Sequence, residues 1–250
     1  MESTQPISTK TFTVRKIGII HSCYQQKFGI PRQPGLVNAS TAQLELLPPF
    51  NQEPYIRGIQ GFSHLWIHFI FHKTMEEGFK GTVRPPRLGG KQRMGVFATR
   101  STHRPNPLGL SVVALKGVQS GNGKLVLELQ GADLLDGTPV IDIKPYLPYA
   151  DAIPEARGGF APAPSKTVDV QFSEQALIRC QHYKERTGKD IINLIRQIVS
   201  QDPRPSYLKS TTHRRHGFLL WDRNVVWESR GNHFLVTDLE YLSEIPKNIR

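Results

Sequence analysis

The chain has 250 residues, 38% of them hydrophobic, enough to build one large domain or two. Its formal charge of +11 at pH 7 suits a polyanionic partner, most obviously nucleic acid. Residues 1–10 are polar, unlike a secretory signal, and no apolar stretch approaches the ~20 residues needed to cross a bilayer, so no membrane role is expected. Two distant cysteines, Cys23 and Cys180, argue against a disulfide framework or a cysteine zinc site and fit a cytoplasmic location.

In chain order, residues 11–20 (TFTVRKIGII) read as a strand rich in β-branched residues, and PRQPGLVNAS then breaks into a loop dense in Pro and Gly. Residues 61–73 (GFSHLWIHFIFHK) are aromatic and apolar throughout, as in a buried strand. GTVRPPRLGGK cannot form regular structure, because its Pro and Gly pairs remove donors and restraint. LSVVALKGV and KLVLELQGADL pair across the turn-forming SGNG, and an Asp136-Gly137 turn leads into TPVIDIKPYLPY. Residues 1–150 are thus expected to form a mainly β domain, a small barrel or sandwich. Residues 151–165 read as a linker, rich in Ala, Gly and Pro. Residues 166–250 have two helical patterns, the first capped by Ser173, and then strand-like GFLLWDRNVVWE and HFLVTDLEYL, a small α+β tail.

The charge is clustered. From Gly78 to Leu127 there is no Asp or Glu among nine Lys and Arg residues, and a second acid-free run spans Pro203 to Trp221. Within the first run, RMGVFATRSTHRPNPLGLS carries Arg93, Arg100 and Arg104 with no acid to pair with them. There is no G-x-G-x-x-G after a strand, no P-loop and no G-x-S-x-G elbow. His64, His68 and His72 recur at intervals of four. On a strand such neighbours lie about 13 Å apart, too far for one ion, so no metal site is expected. Asp142 and Lys144 share a strand face as an ion pair rather than a catalytic pair. DPRPSY superficially resembles the Asp-Pro-Pro-Tyr loop of amino-group methyltransferases, which use it beside a Rossmann-type sheet that this chain lacks. From these residues alone, a basic RNA-binding protein without enzymatic activity and a histidine-based metal hydrolase both remain open.

Longer strings carry a family. GVFATRSTHRPNPLGLS, DLLDGTPVIDIKPYLPY, FSHLWIHFIFH, PRQPGL, VRPPRLGG and QDPRPSY together closely resemble the TrmO (TsaA-like) tRNA methyltransferases in their long bacterial form, over nearly the whole chain. The resemblance implies a mainly β fold, a small non-Rossmann barrel followed by an α+β tail. It implies a homodimer that binds S-adenosylmethionine near the subunit interface and methylates N6 of the threonylcarbamoyladenosine 3′ of the anticodon in threonine tRNA. Carried over motif by motif, the cofactor-binding positions are Arg32, Gln33, Pro34, His72, Lys73, Arg100, Leu110, Asp133, Leu134, Leu135 and Asp136. Arg93, Arg104, Asn106, Lys144, Arg204 and Tyr207 are candidates for the tRNA anticodon stem-loop, with Arg93, Arg100 and Arg104 dividing the oxyanions of cofactor and substrate between them. The proton acceptor stays unassigned. Trp221 and Trp227 read equally well as tail core or as RNA contacts.

Overall fold

A computed structural model describes residues 11–205, 208 and 214–242. Six strands close into a barrel in the order β1-β2-β7-β6-β3-β8. These are β1 (Gly18–Ser22), β2 (Thr41–Leu46), β3 (His64–Ile70), β6 (Leu108–Gly121), β7 (Lys124–Gln130) and β8 (Pro139–Pro145). The helices α1 (Glu53–Ile56) and α2 (Pro148–Asp151) are single turns at the margins, and β4 (Thr82–Val83) and β5 (Met94–Gly95) form a separate two-stranded ribbon. Alternation places the side chains: in β3, Leu65, Ile67 and Phe69 enter the core while His64, Trp66 and His68 face outward. With Leu44, Val113, Leu125, Leu127, Leu129 and Val140 they fill the barrel, each such aliphatic contributing roughly 1.5–3 kcal/mol when fully buried. Gly109 is required where β6 meets the Phe69 ring, since a Cβ there would sit 2.2 Å from the ring.

The tail is a sheet in the order β10-β11-β12-β9, covered by two helices. Its strands are β9 (Asp169–Phe172), β10 (Arg215–Leu220), β11 (Arg223–Arg230) and β12 (His233–Tyr241). Its helices are α3 (Glu174–Thr187) and α4 (Ile191–Ser200). Ser173 caps α3 by accepting from the Ala176 amide, as its sequence position suggests. In α4, Ile191, Leu194, Ile195, Ile198 and Val199 are all buried, one apolar face docked on the sheet.

Several expectations change. Residues 11–16 are exposed and outside any strand, and pairing begins only at Ile17, whose amide donates to the Val140 carbonyl at 2.8 Å. GFLLWDRNVVWE is two strands, β10 and β11, folded at Trp221, whose φ is 49°. The β1–β2 loop belongs to the tail's core, not the barrel's: Cys23, Tyr24 and Val37 are buried there, with Phe28 packed edge-on against Phe218. The Trp221 amide donates to the Cys23 carbonyl at 2.9 Å, and the Ala39 amide to Gln197 Oε1 at 3.0 Å. The tail therefore holds this loop from outside while the barrel holds its two ends.

Candidate active site

Neighbouring strands are antiparallel all round the barrel, so the β1–β2, β3–β6 and β7–β8 connections leave from the same end. Arg32, Gln33 and Pro34 lie on the first connection, His72, Lys73 and Arg100 on the second, and Asp133–Asp136 on the third. Leu110 is near the start of β6 beside them. Residues a hundred positions apart thus share one end of one barrel because the topology is antiparallel.

Specific contacts join the three loops. The Arg100 guanidinium donates to the Gln33 side-chain carbonyl, linking the second loop to the first. The Gly35 amide donates to the Gly131 carbonyl at 2.9 Å, linking the first to the third. Asp133 sits in the barrel mouth, where Ser111 on the inner face of β6 donates its hydroxyl to Oδ1 at 2.6 Å. Burial pushes the Asp133 carboxyl up to about 6, with the Ser111 bond, its own backbone amide and the charge of Arg100 pulling the other way. Asp136 is a tie between loops: Oδ1 accepts the Ser22 amide at 2.9 Å, and its own amide donates to the Tyr24 carbonyl at 2.9 Å. His72 opens a 3-10 turn after β3, and burial, then the charge of Lys73, lowers its pKa. Both disfavour its charged form. Ser111 went unassigned at the sequence level, because a serine in an apolar strand has no distinguishing signal there.

The arginine-rich loop is partly self-supporting. Arg104 Nη1 donates to the carbonyls of Thr99 at 2.8 Å and Val96 at 3.3 Å. His103 Nε2 meets Glu77 Oε2 at 2.7 Å, which holds that carboxyl at about 2. Arg93 is exposed just before β5 and donates to Thr82 Oγ1 at 3.3 Å. Asn106 is exposed between its prolines.

Other candidates lie elsewhere in the fold. The Leu134 side chain is in the barrel core and its carbonyl accepts from the Ser22 hydroxyl at 2.7 Å. Lys144 is at the far end of β8, ion-paired with Asp142 and away from the three loops. Arg204 is buried, paired with Asp202 at 2.7 Å and lying over the Phe234 ring at 4.9 Å in the tail. Trp227 is wholly buried core, while the Trp221 ring is stacked near Tyr183 with Lys189 over it at 4.1 Å. Tyr207 lies outside the described residues. Among the described residues no three His, Cys, Asp or Glu side chains converge as metal ligands do. The outward positions of His64 and His68 along β3 keep them apart.

The fold is an antiparallel β-barrel that gathers a guanidinium, a side-chain amide and a largely buried carboxylate at one end. The chain belongs to the tRNA-methyltransferase O family. The model of that family's N-terminal domain matches residues 19–152, and that of its C-terminal domain matches residues 165–242. The tRNA (adenine(37)-N6)-methyltransferase of Escherichia coli K12 is 47% identical over 92% of this chain and 98% of its own length. A Pseudomonas aeruginosa relative with the provisional name S-adenosylmethionine-dependent methyltransferase RcsF is 50% identical over 87% of this chain and 92% of its own. A crystal structure of TrmO from Pseudomonas aeruginosa superimposes with a TM-score of 0.78 at 43% identity, covering 92% of this chain and 99% of that one.

Proposed function

We propose that this protein transfers a methyl group from S-adenosylmethionine to N6 of adenosine 37 of tRNA. In this reading the accepting base is the threonylcarbamoyladenosine of threonine tRNAs, the enzyme acts as a homodimer, and the reaction takes place in the cytoplasm. Family membership and the names of the E. coli and P. aeruginosa relatives support the reaction class. The observation that carries the site is the convergence of Arg100 on Gln33 beside the Asp133–Ser111 pair, across three loops.

The residues fit the donor. S-adenosylmethionine supplies a methyl already activated on a cationic sulfonium, and it carries a carboxylate and an ammonium besides. Arg100 offers a planar guanidinium for the carboxylate. Asp133, kept in a buried position, offers a counter-charge to a cation, and the backbone around Leu135 lies next to it. The His72 ring, its charged form disfavoured, can accept or donate a hydrogen bond. Arg32, Pro34 and Lys73 lie on the loops of the same end with Leu110 on the outer face of β6 beside them, and the exposed Arg93 and Asn106 and the part-buried Arg104 are offered to RNA oxyanions. The exocyclic nitrogen of the base is a weak nucleophile, so holding it in line with the methyl can supply up to roughly 7–11 kcal/mol of the barrier. An anticodon loop presents unpaired bases that enter a pocket at little unpairing cost.

Outer faces of β3 and β6 support a homodimer. Leu108 and Leu110 are each nearly half exposed and stand opposite Ile70 and His68 in register, an apolar strip suited to a second copy. Calorimetric titration with S-adenosylmethionine tests the site: saturable binding by the wild type, weakened at least tenfold in Arg100→Ala, is expected. A wild type that binds no S-adenosylmethionine would falsify this reading.

A further inference from the structure

Phe97 is held in water. It occupies the 3-10 turn Val96–Ala98, between a buried Val96 and the Thr99 bend, and 77% of it is exposed. The turn is fastened. The Val96 amide donates to the Gly81 carbonyl at 3.1 Å, and the Val96 carbonyl accepts from the Thr99 amide at 3.1 Å, Thr99 Oγ1 at 2.8 Å and Arg104 Nη1 at 3.3 Å. A large ring displayed on a rigid turn, rather than folded back on the barrel, forgoes the burial that normally stabilises phenylalanine. Such a ring is open to a contact from outside the chain.

The surroundings say what kind of contact. The Arg104 guanidinium lies 5.7 Å from the ring centroid and leaves most of the ring free. Arg100, three residues on, reaches into the cofactor loops. No Asp or Glu occurs from Gly78 to Leu127. An aromatic face among guanidiniums, without carboxylates of its own segment, is the chemistry that stacks an unpaired nucleic-acid base while neutralising the phosphates on either side.

We infer that Phe97 is a stacking platform for an unpaired base of the RNA loop, placing the reacting base at the barrel mouth. This rests on the reading of tRNA as substrate. The covered alternative, a protein contact with a second copy, is separated by the test.

The full-length wild type, Phe97→Ala and Phe97→Trp are compared for affinity to a tRNA anticodon stem-loop carrying 2-aminopurine beside the modified adenosine, for S-adenosylmethionine affinity, and for mass by light scattering. Phe97→Ala is expected to weaken RNA binding about 10- to 100-fold and to lose the fluorescence quench, with cofactor affinity and mass unchanged. Phe97→Trp is expected to restore both RNA readouts. Unchanged RNA affinity in Phe97→Ala, or a change in its mass, overturns the assignment. A wild type that binds no stem-loop overturns instead the substrate reading beneath it.

Discussion

Asp133 is a carboxylate kept where it costs the fold something, and replacing it with asparagine separates stability from function. Its pKa rises from 3.8 to about 6 on folding, chiefly through burial. At 1.36 kcal/mol per unit this is on the order of 3 kcal/mol of destabilisation once the group is ionised in both states. Because the folded value is the raised one, the fold binds the extra proton between about pH 4 and 6. The free protein is therefore stabilised as pH falls through that window, and the cost is complete above it. Asparagine keeps an oxygen to accept from Ser111 and cannot ionise. Asp133→Asn without cofactor is expected to be more stable than wild type by about 1–2 kcal/mol at pH 8, after allowance for imperfect packing of the amide, and by nothing at pH 4. For a chain of this size, that is a rise in Tm of about 2–8 °C at pH 8. Denaturation at the two pH values measures it. A variant less stable at pH 8, or equally stabilised at both, would refute the claim that a buried charge is the source of the cost.

On the proposed reading, the same carboxylate gives cofactor binding a pH dependence. Affinity for S-adenosylmethionine is expected to rise as pH increases through about 6 and then level off, and the step is expected to vanish in Asp133→Asn; calorimetry from pH 5 to 8 reads both. Arg204→Ala removes a buried guanidinium that bonds Asp202 and covers the Phe234 ring and is expected to destabilise the tail by about 1–3 kcal/mol, read by chemical denaturation, whereas an RNA-contact role would lower tRNA affinity at full stability.

How much of this was legible beforehand follows from periodicity. β3 and β7 alternate cleanly between core and surface, so their strands and inward residues could be read directly. α4 showed its apolar face in the same way. What could not be read was tertiary pairing. Residues 11–16 are β-branched but find no partner strand until Ile17. The four residues of β9 alternate over too short a run to stand out, and their partner β12 is some sixty residues away. Cys23, Tyr24, Phe28 and Val37 follow no period in their loop, so their membership of the tail's core was hidden.

At the site, motif strings located the loops but not the division of labour within them. Arg100, Arg104 and Arg204 look alike in one dimension. The first reaches a neighbouring loop, the second clips its own turn, and the third is buried against Asp202. Ser111 carried no signal because its partner Asp133 is twenty-two residues away.

The central claim is tested most directly by incubating the protein with methyl-labelled S-adenosylmethionine and two tRNA pools, one carrying threonylcarbamoyladenosine and one lacking it. The account predicts label at adenosine 37 in the modified pool alone. Label in neither pool, with tRNA still bound, would contradict it and leave a protein that binds RNA without acting on it.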